Sequence, residues 1–157
     1  NDREMHGLGA PPTRKDGRVA AVDAYQVTQQ IHFCYGHRLL NYEGKCAHLH
    51  GHNGMAELTF ESGTLDHRGM VADFTEVKAQ LKNWVEASFD HKMLLRNDDP
   101  LLSLLREHDE PVFTMSDNPT AENIARAIYE KAKSLGFPIT KVTFWETPTQ
   151  RATYQET

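Results

Sequence analysis

Only two cysteines, Cys34 and Cys46, occur in 157 residues. No disulfide framework is available, and a chain of this length can bury a core without one. No apolar run approaches the ~20 residues of a membrane span. Positive charge is also short: 17 Lys and Arg stand against 22 Asp and Glu, a formal net charge of -5. That balance gives no broad positive field for nucleic acid, although a local basic pocket for a phosphorylated small molecule stays open. The first residues, "NDREMHGLGAPPTRKDGRVA", lack the apolar segment of a signal peptide. They are expected to form a flexible arm over 1–22, outside a single domain spanning 23–157. A reducing cytoplasm is the simplest compartment for such a chain.

What is present is the composition of a folded globular protein, with 25% charged and 39% hydrophobic residues. From Asp23 to Phe33, Tyr25, Val27, Ile31 and Phe33 alternate with Gln26, Thr28, Gln30 and His32, which predicts a half-buried antiparallel strand. "HGHNGMAELTFES" predicts its hairpin partner, with Ala56, Leu58 and Phe60 on the side of His50 and His52. Phe74, Val77, Leu81, Trp84, Val85 and Phe89 recur at helical spacing, with Asp73 as cap, so a helix is expected from about Thr75 to Ala87. After a polar middle, "PVFTM" suggests a short strand. A second helix is expected to start at Thr120, to face Ile124, Ile128 and Leu135 inward, and to end at Gly136 and Pro138. "ITKVTFWET" and "RATYQ" predict two more strands around a turn. This order implies an α+β fold, an antiparallel sheet with two helices on one face and free edges open to oligomerisation.

The segment "KCAHLHGHNG" carries His48, His50 and His52 at alternate positions behind Cys46. On one strand the outer two would lie about 13 Å apart, too far for zinc–nitrogen bonds of roughly 2.0–2.1 Å to share an ion. Neighbours at i and i+2, about 6.6 Å apart, can converge. His50 therefore belongs to a metal site whichever of His48 or His52 is its mate. A third ligand must come from the first strand, where His32 and His37 flank the exit. Three imidazoles leave a fourth position open, as catalytic zinc requires, unless Cys46 closes it into a structural site; the plainer alternative is that the histidines are surface polar residues.

The motifs "HFCYGHRLL", "KCAHLHGHN", "GMVADFTEVK", "FDHKML", "NPTAEN" and "FWET" occur in the order found in the 6-pyruvoyl-tetrahydropterin synthase family. The chain resembles that family from about Tyr25 to Tyr154, and the short gap between Cys46 and His50 resembles its 6-carboxytetrahydropterin synthase branch, which serves queuosine synthesis. The resemblance implies a T-fold whose subunits assemble side by side into a barrel and stack as a homohexamer. It implies zinc held by His37, His50 and His52, with His48 a bystander. It implies Cys46 as general base, Asp90 and His91 as a second catalytic pair, and Glu146 as the anchor of a pterin ring, with Thr120 and Glu122 on the pocket wall. The implied substrate is 7,8-dihydroneopterin triphosphate. Arg38, Lys45 and Lys92 are read as solvated charges, and Cys34 as a small buried residue at a strand end. Two departures bear on the pocket: Gly54 stands where the family more often has an aromatic, and "FCYGH" replaces a run of small residues. A 6-pyruvoyl synthase and a non-catalytic, zinc-stabilised pterin-binding oligomer are the alternatives.

Overall fold

The computed structural model describes residues 24–157; the arm expected over 1–22 lies outside the described residues. Strands β1 (Tyr25–His37) and β2 (His50–Ser62) pair antiparallel in unbroken register, from Tyr25 against Ser62 to His37 against His50. Alternation decides which side is buried. Ile31, Phe33, Tyr35 and His37 on β1, and Ala56, Leu58 and Phe60 on β2, turn into the core, while Gln26, Thr28, Gln30 and His32 are exposed on the other face. β1 runs four residues past the expected end at Phe33, because Cys34 to His37 keep pairing with 50–53. His48 is not part of β2: a single 3-10 turn, Lys45–Ala47, precedes it.

Helix α1 covers 74–89, as Phe74–Glu76, a π-helical stretch Val77–Lys82, and Asn83–Phe89. Asp73 caps it, its carboxylate accepting from Thr75 N at 2.8 Å. In an α-helix an i, i+4 row drifts by about 40° per step. The wider π turn offsets that drift, so Val77, Leu81, Val85 and Phe89 all stay fully buried in one row. Helix α2 (Leu101–Glu107) is short. Helix α3 (Ala121–Ser134) starts at Thr120, whose side chain accepts from Asn123 N, and ends before Gly136 at φ +84°. Ile124 and Ile128 are fully buried beneath it.

Strands β3 (Lys92–Arg96) and β4 (Val112–Met115) precede β5 (Ile139–Thr147) and β6 (Gln150–Gln155) in one six-stranded sheet of order β4-β3-β1-β2-β5-β6. The four long strands are antiparallel, as expected. β3 and β4 instead pair in parallel beside β1, so the sheet is mixed. β3 was not anticipated, because Leu94 and Leu95 are adjacent and both buried, which erases the two-residue period. Helices α1 and α3 share one hydrophobic core with the inward face of the sheet, which confirms the α+β class.

Candidate metal centre and active-site cavity

The core face ends in histidine. His37 and His50 are register partners at the last rung of the β1–β2 ladder, and His52 is opposite Tyr35 one step inward on the same face. Ligand nitrogens of the three rings all lie within 4.8 Å of one another. Among the described residues, their Nε2 atoms are buried without a hydrogen-bond partner. Glu146 Oε1 stands 3.4 Å from His37 Nε2 and 3.5 Å from His52 Nε2, and neither contact is a hydrogen bond. Three buried nitrogens that converge without partners are costly unless something else satisfies them, and a metal ion would do so.

The opposite ring nitrogens fit the same reading. His37 Nδ1 lies 2.7 Å from the Pro119 carbonyl and His50 Nδ1 2.7 Å from the His48 carbonyl. Each ring thus donates from Nδ1 and leaves the Nε2 lone pair free, the outer-sphere arrangement of metal-bound histidine. Burial pushes the His37 and His52 imidazoles below the ordinary histidine range, which keeps both neutral and able to bind a cation. His48 contributes its backbone carbonyl rather than its ring, and His32 is exposed on the far face of β1.

Pro119 belongs to "NPTAEN", and this loop is clasped to the exit of β1. Asn118 accepts from Leu40 N at 2.9 Å and donates to Leu40 O at 2.8 Å, while Asn123 donates to Asn118 O at 2.9 Å. Asn118 and the Pro119 carbonyl were not singled out in the sequence; their only signal was membership of a motif. Leu39 N donates to Cys46 O at 2.8 Å, which draws the 3-10 turn back over the same exit. Arg38, read as solvated, instead forms a two-pronged pair with Asp99, whose side chain is fully buried.

A cavity of about 350 Å³ opens beside the triad, lined by His37, Cys46, Thr120, Glu122, Glu146 and Arg151 among others. Five of the residues expected at the site therefore share one space. Tyr35, not foreseen as a site residue, places its hydroxyl 3.4 Å from Oε1 of Glu146, a carboxylate on that wall. Burial and the neighbouring carboxylate raise the Tyr35 phenol far above its ordinary range, so it is a hydrogen-bond donor at any working pH.

Asp90 and His91 lie elsewhere. Asp90 Oδ1 accepts from Cys34 N at 3.0 Å, and Asp90 Oδ2 is 2.8 Å from His91 Nδ1. Burial alone would raise the Asp90 carboxyl, but hydrogen bonds from His91 and the Cys34 amide outweigh it and hold the group below its ordinary range. Cys34, Asp90 and His91 offer ligand atoms within 4.8 Å of one another. Cys34 alternates with Tyr35 and so turns away from the histidine triad. It is half-buried, and Cys34, His91 and Lys92 line a separate cavity of about 420 Å³ that shares no residue with the one beside Cys46. His91 itself is 79% exposed and holds φ +55° just after α1.

This α+β arrangement is the tunnel fold of tetrahydropterin synthases of known structure. The chain belongs to the 6-pyruvoyl tetrahydropterin synthase family, whose sequence profile matches residues 26–157. It is 37% identical over 128 residues to the 6-carboxy-5,6,7,8-tetrahydropterin synthase of Rickettsia bellii, covering 77% of this chain and 93% of that protein. A protein of the same name from Aquifex aeolicus is 37% identical over 125 residues, covering 71% and 76%. Among solved structures, the 6-pyruvoyl tetrahydropterin synthase of Caenorhabditis elegans superposes with a TM-score of 0.64 at 25% identity, over 87% of this chain and 98% of the other.

Proposed function

We propose that the protein is a zinc-dependent 6-carboxy-5,6,7,8-tetrahydropterin synthase that acts on 7,8-dihydroneopterin triphosphate in queuosine biosynthesis, in the cytoplasm. The observation that carries this reading is the convergence of three unpartnered Nε2 atoms beside the cavity that Cys46 and Glu146 also line. The names of the relatives favour the carboxy-producing branch.

His37, His50 and His52 would hold the ion, each ring fixed or packed so that its lone pair points to a common centre. Zinc bound there would supply Lewis acidity, easing removal of a carbon-bound proton beside a side-chain hydroxyl of the substrate. Cys46 takes that proton from its place on the cavity wall. Glu146 orients the substrate: an ionised carboxylate only accepts hydrogen bonds, and a pterin ring presents an amino group and a ring N–H to it. Thr120 and Glu122 form the wall at the start of α3.

Asp90 fixes His91 with its Nδ1 engaged, so the other ring nitrogen is left to return a proton to the substrate side chain. Because His91 lines the other cavity, apart from Cys46, a second copy of the chain would supply the pair to the histidine triad of the first. The edge strands β4 and β6 present unpaired backbone for that association, and the assembly is a homohexamer built of barrels.

Incubation of the zinc-loaded protein with 7,8-dihydroneopterin triphosphate tests the reading. Release of acetaldehyde and triphosphate with 6-carboxytetrahydropterin is expected. Triphosphate with 6-pyruvoyltetrahydropterin would assign the other branch, and no turnover with pterin bound would leave a zinc-stabilised binding protein.

A further inference from the structure

Tyr35 is 3% exposed and lies two residues before His37 on β1. Its ring centroid is 5.1 Å from that of His37 and 5.7 Å from that of His52, so it packs directly against the triad. Its hydroxyl reaches a single carboxylate oxygen, Glu146 Oε1, at 3.4 Å. A buried hydroxyl needs a partner, and this contact supplies it.

The space for the phenol comes from the facing strand. Gly54 is opposite Phe33 and diagonal to Tyr35, within reach of an aromatic side chain. A Cβ at position 54 would stand 3.1 Å from Tyr35 Cε1 and 2.5 Å from Phe144 Cζ. Phe144 is fully buried, with its ring 5.7 Å from that of Tyr35, so it has no free volume to retreat into. The missing side chain at 54 is therefore the condition for an aromatic at 35. A phenylalanine at 35 would fill the same volume; tyrosine adds one hydroxyl, delivered to Glu146.

Resting on the pterin reading above, we infer that Tyr35 is a positioning residue for substrate recognition. Its hydroxyl holds one oxygen of Glu146 and leaves the other for the amino group of the bound ring. Without that hydroxyl, Oε1 keeps only its long contacts to the Nε2 atoms of His37 and His52, and the carboxylate is free to rotate out of line with the bound ring.

The test uses the zinc-loaded full chain, a Tyr35→Phe variant, and two non-reacting probes: biopterin, which bears the ring amino group, and lumazine, which carries a carbonyl in its place. Tyr35→Phe is expected to weaken biopterin about tenfold, the typical effect of one hydrogen bond to a charged group, and to leave lumazine within about twofold. KM should rise while kcat changes little, and zinc stoichiometry and Tm should stay at parental values. Equal weakening of both probes, or unchanged biopterin binding, would overturn the assignment. A parent protein that binds neither probe would remove the underlying pterin reading, and this assignment with it. Gly54→Ala gives an independent arm. It should crowd the phenol and weaken biopterin, and biopterin binding at the parental level would overturn the packing argument.

Discussion

His37 and His50 face each other across the last rung of the β1–β2 ladder, their Cα atoms paired in register and their rings 4.5 Å apart. The ladder register thus brings together residues thirteen positions apart in the chain. Replacing either by alanine should abolish stoichiometric zinc. His48→Ala keeps the backbone carbonyl that His50 uses and should retain the metal. Zinc content after dialysis, measured by atomic absorption, separates the two outcomes.

Cys46 lines the cavity but does not belong to the triad. Cys46→Ala is therefore expected to keep zinc and fold normally while turnover falls by at least about 100-fold, the scale of a lost general base. Loss of zinc in this variant would instead make the cysteine a ligand.

The separation of Cys46 from Asp90 and His91 predicts complementation. Cys46→Ala and His91→Ala should each be inactive alone. Unfolded together and reassembled, they should regain part of the parental rate, because some interfaces would pair an intact thiol with an intact imidazole. Full inactivity of the mixture, with hexamers present by size-exclusion chromatography and light scattering, would place the whole catalytic set within one chain.

Much of this was legible beforehand. Alternation from Tyr25 to Phe33 and from Met55 to Phe60 announces β1 and β2, and Asp73, Thr120 and Gly136 mark helix ends by their capping chemistry. The triad could be narrowed by reach alone to His50 with one neighbour and a residue at the exit of β1. Assigning His37 and His52 took the family resemblance, and the structure supplies the reason: His48 falls outside the strand because of the turn at Lys45–Ala47. Tyr35 and the Asn118 clasp were hidden, since each depends on a partner more than 75 positions away. So was the pairing of Arg38 with Asp99, 61 positions apart.

That pair should be costly to break. The Asp99 side chain is fully buried, and it both receives the Arg38 guanidinium and accepts from Leu101 N at 2.8 Å. Asp99→Ala should destabilise the fold by about 3 kcal/mol, measured by urea denaturation. Burial by itself would raise the Asp99 carboxyl, but the hydrogen bonds from Arg38 and Leu101 hold it below its ordinary 3.8. Its contribution is therefore fully present above that value and is lost as pH falls through the lower, folded-state pKa. The parent and Asp99→Ala should accordingly converge in stability only in strong acid.

Acid should act earlier on the metal-free protein. Burial keeps His37 and His52 below the ordinary histidine value of 6.5, so the folded chain binds fewer protons than the unfolded one. Stability then rises with pH through that region and falls when the solution is acidified below it. Thermal scans in chelator at pH 5.5 and 7.5 should show the lower Tm at pH 5.5. A flat profile would mean that the rings are hydrated.

The clasp at Asn118 has a consequence for motion. Through Pro119 one loop touches the His37 ring of the candidate metal centre, and through Asn118 and Thr120 it holds the strand exit and the first turn of α3. Loading the ion should thus quieten a helix that never touches it, seen as slower deuterium uptake by the amides of Asn123 and Ile124.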